Sequence, residues 1–284
     1  MAVIGGGPAG LRAAEIAAMR GMSVTIFDAM PSLGRKLLVA GKGGLNLTHG
    51  ESLETFVTRY GGGDRMFWEN LLNEFNPSAL REWAGGLGIE TFQASSGRVY
   101  PREMKAAPML RRWITRLREL GVQIEARHRL VEIKPGRPHE LTFSNGVTVH
   151  APAVVFAMGG GSWSRTGSDG SWVECFAACG IDCRQLVAAN CGWEHAWSAE
   201  TLAAAEGKPL KNIVVSAGGQ HAVGELLVSR YGLEGGAIYQ LGAVLRAMKN
   251  PEIAIDFKPT FTREQLVAKM ESVKRDVLEQ ARIR

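Results

Sequence analysis

The N-terminal segment constrains the fold of this chain more than any other part of the sequence. A short apolar strand is predicted over residues 2–4 and runs into a glycine-rich turn over residues 5–10. An alanine-rich helix is predicted over residues 11–20, and a second strand over residues 23–27 leads to Asp28. A glycine-rich turn alone would be weak evidence. Strand, turn, helix, strand and terminal acid in this order predict a dinucleotide-binding βαβ unit.

Each position of the turn has a physical role in such a unit. Gly5 permits the tight turn, Gly7 lets the backbone approach a pyrophosphate, and Gly10 lets the helix pack against the strand. Pro8 and Ala9 begin the helix, where unpaired N–H groups and the helix dipole favour a diphosphate. We therefore expect these residues to bind the phosphates of a dinucleotide.

Asp28 indicates which dinucleotide the unit would take. A carboxylate at the end of the second strand can accept hydrogen bonds from the adenosine ribose. The same carboxylate disfavours a 2′-phosphate at that position, so NADP is the poorest candidate for this site.

Size and composition indicate a globular chain. It has 284 residues, of which 45% are hydrophobic, enough for one large domain or two ordinary ones. No apolar run reaches the length of about eighteen residues that a membrane helix needs, and the first residues lack a basic leader. We expect a cytoplasmic protein without a membrane segment.

The formal net charge is +5 and the sequence pI is about 9.1, so anions are plausible partners. Many of the basic residues cluster in one stretch: Arg98, Arg102, Lys105, Arg111, Arg112, Arg116 and Arg118. Apolar residues repeat at helical spacing beside them, which favours a solvated basic helix face as the simpler interpretation. Nucleic acid is an open alternative that nothing specific indicates.

The four cysteines are Cys175, Cys179, Cys183 and Cys191. They contain no CxxC pair, and nearby His195 has no second histidine at metal-binding spacing. The pattern predicts buried thiols and no metal site.

Two glycine-containing segments follow Asp28, and they carry a resemblance to a known family. Residues 34–38 read GRKLL and residues 41–49 read GKGGLNLTH. Further matching motifs lie at residues 97–101, 156–160, 166–170, 209–212, 224–227, 231–233 and 255–257. In these motifs the chain resembles the HI0933-like or BaiN-like NAD(P)/FAD-dependent oxidoreductases, which are flavoproteins of the two-dinucleotide-binding-domain type.

The resemblance implies FAD as the cofactor. It also implies hydride transfer from flavin N5 to an acceptor such as a conjugated C=C bond, after reduction by NAD(P)H. Because no second GxGxxG motif is present, the nicotinamide donor would have to dock transiently.

The segment after Asp28 has the residue types that a flavin needs. The backbone at Gly34 and Gly44 can pass over a flat ring, and Arg35 and Lys36 can face the pyrophosphate or the N1–C2=O edge. Asn46 can hydrogen-bond the flavin edge. The alternative is a solvated loop with ordinary turn residues.

A buried strand is predicted over residues 153–157, and its C-terminal end is expected to meet the cofactor, as in open α/β sheets. Ala157, Gly159 and Gly160 would then contact the cofactor, as would Asp169 in the motif that follows. Val131, on a strand predicted over residues 130–133, is a further expected contact. An Asn-Gly turn at residues 145–146 predicts an antiparallel hairpin.

The sequence departs from the family pattern at two motifs and at its C-terminus. Gly44-Leu45 stands where the family carries Arg-Cys, and residues 230–236 read RYGLEGG in place of a HYGLSGP-type segment. The family's final glycine-rich segment is not present before Arg284, and an apolar helical face is predicted over residues 266–278. The expectation is a shortened FAD domain that holds FAD loosely or not at all.

These patterns predict an α/β protein: a Rossmann-like FAD-binding domain over residues 1–187, an inserted β-rich substrate domain over 188–262, and the start of a helical cap over 263–284. The catalytic acid or base is unknown, with Tyr231, Arg102 and Lys105 as weak candidates beside Arg230 and His49. The expected partner is a small-molecule substrate.

Two other functions stay open at this stage. An RNA-modifying flavoenzyme that reduces a uracil ring rests on the basic stretch around Arg111. A non-catalytic remnant that binds a nucleotide, or nothing, rests on the absent C-terminal segment.

Overall fold

The computed structural model describes residues 1–271, and its contacts divide the chain into two compact units, Met1–Leu186 and Val187–Arg284. The predicted boundary after residue 187 lies at nearly the same place. The separation of a cap at residue 263 stays a prediction, and the part of its predicted apolar face beyond residue 271 lies outside the described residues.

The first unit alternates strands and helices. Its strands are β1 (Ala2–Ile4), β2 (Thr25–Asp28), β3 (Thr48–His49), β4 (Thr91–Gln93), β5 (Arg98–Pro101), β6 (Gln123–Ala126), β7 (Leu130–Lys134), β8 (His139–Phe143), β9 (Thr148–Ala151) and β10 (Val154–Phe156). Its helices are α1 (Pro8–Met19), α2 (Arg35–Ala40), α3 (Leu53–Val57), α4 (Arg65–Glu74), α5 (Pro77–Gly86), α6 (Ala106–Glu119) and α7 (Trp172–Ala178), with a 3₁₀ turn at Ser164–Thr166.

A parallel sheet in the order β10-β1-β2-β6 forms the centre of this unit. Side chains alternate between its two faces, as a strand requires. Val3 and Ile26 face the hydrophobic cluster that includes α1 and α6, whereas Ile4 and Phe27 face a second cluster. In keeping with this burial, β1 and β10 are wholly apolar and β2 has an apolar centre, whereas β6 at the edge of the sheet carries Gln123 and Glu125.

The second cluster is closed by an antiparallel sheet in the order β7-β8-β9. Phe143 stacks on Phe27 with ring centroids 4.8 Å apart. The β8–β9 turn contains Asn145 and Gly146, which confirms the predicted hairpin. A small sheet in the order β3-β5-β4 lies within residues 48–101.

Glu15 on α1 is fully buried among aromatic and basic side chains, a feature that the sequence patterns did not predict. Its carboxylate accepts hydrogen bonds from the indole N–H groups of Trp83 and Trp113 and from the guanidinium groups of Arg12 and Arg116. Burial acts to raise the pKa of Glu15, but the hydrogen bonds from Arg12, Arg116 and Trp83 outweigh it and lower the pKa. Glu15 is therefore an anion at neutral pH.

Two arginines of the predicted solvated face of α6 have structural partners. Arg116 binds Glu15 and the carbonyl oxygen of Gly86, and Arg112 donates to the carbonyl oxygens of Leu87 and Gly88. These carbonyl groups lie at the C-terminal end of α5, where backbone oxygens have no partner within the helix. The interpretation of this face as merely solvated is therefore wrong for Arg112 and Arg116.

The second unit contains the antiparallel sheet β11-β14-β13-β12-β15. Its elements are β11 (Trp193–Glu194), α8 (Ala199–Ala205), β12 (Pro209–Ala217), β13 (Gln220–Ser229), β14 (Gly232–Glu234), α9 (Gly236–Ala247), β15 (Ala254–Asp256) and α10 (Arg263–Glu271). The strands confirm the predicted β-rich character. Helix α9, which was not predicted, buries Ile238, Leu241 and Leu245 against the sheet.

The cysteines differ from the prediction in one respect. All four thiols are free, and each cysteine is only partly buried. Cys175 and Cys179 donate to the carbonyl oxygens of Val131 and Ile133, and burial, the first of several causes, raises the pKa of the Cys175 thiol. Within residues 1–271, His, Cys, Asp and Glu form no group of three or more that could hold a metal ion.

In the same described range, no helix has both the length and the apolar character needed to cross a membrane.

Candidate functional site

A cleft of about 340 Å³ opens at the carboxyl ends of the parallel strands β1, β2 and β10. This is the edge at which open α/β sheets bind ligands. The cleft reaches the lower end of the size range of small-molecule and cofactor sites, roughly 300–1,000 Å³. It is built entirely from the first unit.

The glycine turn forms one side of the cleft. Gly5 has a φ of 106°, and a Cβ there would overlap the carbonyl oxygen of Ala157 on the neighbouring chain segment. A Cβ at Gly10 would overlap the carbonyl oxygen of Gly5, so α1 can approach the turn only because residue 10 is glycine. Gly7 differs, because a Cβ there would meet no atom within 4 Å and would project into open space.

The N-terminus of α1 leaves backbone donors available. Gly7 is the N-cap residue and provides no side-chain cap, and Pro8 occupies the first turn. The first N–H groups of a helix have no acceptor inside the helix, and they carry its positive dipole end. Gly7, Pro8 and Ala9 all line the cleft.

Asp28 connects the second strand to the turn. Its carboxylate accepts from the backbone N–H of Gly6 at 2.6 Å and of Met30 at 2.7 Å. Gly34 is tied to the same turn by a bond from its N–H to the carbonyl oxygen of Gly6 at 2.9 Å. These bonds hold Asp28 and Gly34 on the wall of the cleft.

Arg35 and Lys36 begin α2 and line the cleft. The Lys36 ammonium group donates to the Ser162 hydroxyl at 2.7 Å, which joins α2 to the loop after β10. The Nε atom of Arg35 is buried and has no hydrogen-bond partner among the residues that the structure describes. A buried N–H without an acceptor is costly, so this donor fits a ligand oxygen.

Arg129 and Asp169 form an ion pair of 2.8 Å on another part of the wall. Burial acts to raise the pKa of Asp169, but hydrogen bonds from Ser171 and Arg129 outweigh it and lower the pKa. The pair is charged at neutral pH and largely neutralises itself. Arg35 and Lys36 therefore provide the cations that an anionic ligand could use.

Most of the predicted cofactor-binding residues are brought together in the cleft: Gly5, Gly7, Pro8, Ala9, Asp28, Gly34, Arg35, Lys36, Ala157, Gly159 and Asp169. Five others lie elsewhere. Gly10 lies behind the turn, Asn46 lines a second cavity, and Gly44 and Val131 line neither cavity. Gly160 accepts a hydrogen bond from Ser168 through its carbonyl oxygen.

Several cleft residues were not predicted, among them His128, Arg129, Thr166, Ser168, Trp172 and Phe176. Thr166 and Ser168 lie in the motif at residues 166–170, from which only Asp169 was assigned. His128 and Arg129 follow β6, and the strand order that brings them beside β2 is not visible in the sequence.

The weak catalytic candidates lie outside both cavities. Arg102 pairs with Glu90 at 2.9 Å, and Lys105 precedes α6 as its N-cap residue. His49 contacts Glu51 and the carbonyl oxygen of Ser96. Tyr231 belongs to the second unit, is 65% exposed and lies under the guanidinium of Arg230.

The residues present fit the ADP half of a dinucleotide. The open space at Gly7, the unpaired donor at Arg35 and the helix N-terminus all suit a diphosphate. Aromatic side chains of the cleft such as Phe27, Phe156 and Trp172 can enclose a purine ring.

Fold and cleft together define a Rossmann-type dinucleotide-binding protein. The family model described as "HI0933-like protein Rossmann domain" matches residues 1–244, and the chain belongs to this family. Membership confirms the predicted α/β flavoprotein fold and its FAD-binding character, and it supports a general oxidoreductase role.

Three solved structures illustrate the wider similarity. A 3-ketosteroid-Δ4-(5α)-dehydrogenase from Rhodococcus jostii is 18% identical, with 56% of this chain and 45% of that chain covered and a TM-score of 0.44. A flavocytochrome c3 fumarate reductase is 21% identical, with 56% and 33% covered and a TM-score of 0.44.

The third structure, the amino acid oxidase NikD, is 17% identical, with 57% of this chain and 51% of that chain covered and a TM-score of 0.31. The chain spans only about a third to a half of the length of these three proteins. Similarity at this level carries no argument about the chemistry of this chain.

Proposed function

We propose that the protein is an FAD-dependent oxidoreductase in which NAD(P)H is the electron donor and a small conjugated molecule is the acceptor. The observation that carries the proposal is the cleft at the carboxyl ends of β1, β2 and β10. It combines an open glycine backbone, a helix N-terminus and a buried unpaired guanidinium donor.

The residues of the cleft have distinct roles in this proposal. The backbone N–H groups of Gly7 and Ala9 bind the pyrophosphate, since Pro8 has no N–H to donate, and the guanidinium of Arg35 donates to an oxygen of the same cofactor. Lys36 adds a positive charge and holds the loop after β10 through Ser162.

Asp28 keeps lone pairs that can accept from ribose hydroxyl groups after the bonds to Gly6 and Met30. Its negative charge disfavours an additional phosphate at that position.

When bound, FAD supplies hydride acceptance and donation at N5. The protein contributes orientation and electrostatics. The start of α2 lines the cleft, so we place the flavin beside Gly34, Arg35 and Lys36.

The test is reconstitution with FAD. The purified chain is mixed with FAD, passed through gel filtration and examined for flavin absorption. FMN, which lacks the ADP half, is the control. We expect retention of FAD and little retention of FMN, because the cleft offers its contacts to the ADP half. NADH or NADPH is then added without oxygen, and bleaching of the flavin band is expected.

The outcomes separate the functional classes. Retention with bleaching supports the oxidoreductase, and retention without bleaching by either nicotinamide contradicts the proposed donor. A chain that never takes up FAD contradicts the proposal and favours a non-catalytic function.

The RNA-modifying alternative has less support in the structure than in the sequence. Arg112 and Arg116, which belong to the basic stretch behind that alternative, bind backbone carbonyls and Glu15. Fewer basic groups of this stretch are therefore free to contact phosphates.

A further inference from the structure

A second cavity of about 260 Å³ lies on the other side of Pro8, which lines both cavities. Its walls are aromatic and aliphatic. The aromatic residues are Phe75, which follows α4, Trp83 of α5 and Trp113 of α6. The aliphatic residues include Leu37, Leu47 and Leu80. The volume lies just below the size range of drug-sized sites, roughly 300–1,000 Å³. It therefore suits a molecule of one or two rings.

Trp83 and Trp113 both line this cavity. Both indole N–H groups donate to the buried Glu15 carboxylate, at 3.0 Å from Trp83 and 3.2 Å from Trp113. The two rings meet at an interplanar angle of 73° with centroids 4.5 Å apart. Because their polar atoms are already satisfied, what they offer a ligand is flat apolar surface, which favours a planar molecule.

The cavity also has a positive charge that is not neutralised. Glu15 carries one negative charge and is paired with two guanidinium groups, those of Arg12 at 2.8 Å and Arg116 at 3.1 Å. Arg12 lines the cavity, and its guanidinium lies 4.9 Å from the centroid of the Phe75 ring.

A guanidinium has five N–H donors, and the bond from Arg12 to Glu15 uses one of them. The remaining donors and the surplus charge of the Arg–Glu–Arg group favour an anion at this wall. Asn46 adds an exposed amide whose side chain has no hydrogen-bond partner among the described residues.

We propose that this cavity binds a planar conjugated molecule of one or two rings that carries one carboxylate, with the rings against Trp83 and Trp113 and the carboxylate on Arg12. The assignment deepens the proposed function, on which it rests, by naming the class of acceptor. Reduction of a conjugated C=C bond in such a molecule takes one hydride, with electrons from NAD(P)H, and one proton, and NAD(P)⁺ is the other product.

The binding step is tested without turnover. Isothermal titration compares naphthoate with the matching naphthylmethanol, which has the same rings and no charge, on protein without added FAD. We expect naphthoate to bind roughly tenfold more tightly, as a charge-assisted bond of about 1.4 kcal/mol requires.

Three variants test whether the Arg12 guanidinium binds the carboxylate and whether the cavity holds the rings. Arg12→Gln removes the charge, should abolish the preference for naphthoate and should leave naphthylmethanol binding nearly unchanged. Arg12→Lys keeps the charge and should retain part of the preference. Leu80→Trp fills the cavity and should weaken both ligands. The control is Arg118→Gln, which removes an exposed positive charge of α6 that lines neither cavity.

Each other outcome overturns the inference. These are no binding of naphthoate to the wild type, a preference that survives Arg12→Gln, or no effect of Leu80→Trp. Displacement of naphthoate by FAD would assign the cavity to the cofactor and would also overturn it. Naphthoate binding in a chain that takes up no FAD would contradict only the proposed function, because the binding assay contains no flavin.

Discussion

Glu15 determines the local order of four side chains from three helices. Its carboxylate is fully buried, whereas Arg12 and Arg116 are 33% and 28% exposed. Removal of the acid leaves two indole N–H groups without an acceptor and two guanidiniums without a counter-charge. Loss of one partner of a buried ion pair costs more than the pair contributes, because the remaining charge stays desolvated.

We expect Glu15→Gln to lower the free energy of unfolding by about 3 kcal/mol at neutral pH. This value is near the low end of the cost of removing one partner of a buried ion pair, because both arginines are partly exposed. Urea denaturation measures the change. Glu119→Gln, an exposed acid at the end of α6, should change stability by less than about 0.5 kcal/mol. Equal stability of the two variants would contradict the role of the buried carboxylate.

The stability difference between the wild type and Glu15→Gln should depend on pH. The pKa of Glu15 is lower in the folded state than its usual value of 4.5, so the unfolded state binds the proton more readily. The stabilisation is fully present above the unfolded pKa and is lost as the pH falls through the lower folded pKa. The difference between wild type and Glu15→Gln should therefore shrink below a pH of about 4.5. A difference that does not change with pH would contradict this account.

Arg35 is the residue on which cofactor affinity should depend most directly. Its buried Nε–H group has no hydrogen-bond acceptor in the described chain, so an oxygen of the bound cofactor would supply that acceptor. We expect Arg35→Met to weaken FAD binding by about ten- to a hundredfold, as loss of a hydrogen bond to a charged group implies. Fluorescence titration with FAD measures the effect. Arg111→Gln, an exposed arginine of α6, is the control and should bind FAD as the wild type does.

At the scale of elements, two glycines of the βαβ unit are needed for different reasons, one for packing within the protein and the other for access of the ligand. Gly10 lets α1 pack against the turn, whereas Gly7 keeps the backbone open to the cleft. Substitution should reveal this difference, because one added methyl group clashes with protein and the other meets only the ligand.

We expect Gly10→Ala to destabilise the fold by about 1–3 kcal/mol, the usual cost of overpacking, and to lose FAD binding with it. Gly7→Ala should keep the melting temperature of the wild type and still lose FAD binding. The control is Gly85→Ala, where an added Cβ meets no atom within 4 Å and the residue lies in α5. Unchanged FAD binding in Gly7→Ala would contradict the placement of the pyrophosphate.

At the scale of the whole molecule, each unit has its own hydrophobic core. The clusters around α1 and around Phe143 lie within residues 1–186, and the cluster around α9 lies within the second unit. Both cavities are formed by residues of the first unit alone. Because a compact unit with its own core can fold independently, the first unit should be separable.

We expect a fragment of residues 1–186 to unfold cooperatively and to bind FAD with an affinity within about tenfold of that of the whole chain. Circular dichroism during heating measures the first property, and fluorescence titration measures the second. The fragment with Gly7→Ala is the matched control for specific binding. A fragment that folds but binds far more weakly would show that the second unit contributes to the cofactor site.

The sequence by itself determined the βαβ unit, the cleft residues at its glycine turn and at Asp28, the Asn-Gly hairpin and the β-rich second unit. These features depend on short segments whose turn glycines, apolar alternation and terminal acid act over neighbouring residues. The family resemblance, carried by ordered motifs, determined the flavoprotein fold in the same way. Helix α9 was missed although its buried residues Ile238, Leu241 and Leu245 recur at helical spacing.

Only the tertiary structure decided the partners of Glu15, the ion pair between Arg129 and Asp169 and the cavity lined by Trp83, Trp113 and Arg12. Their members lie far apart in the chain, and packing of α1 against α6 and pairing of β2 with β6 bring them together. Asn46 illustrates the limit. Its type and motif predicted a polar contact, but the packing of the helices decided which cavity it faces.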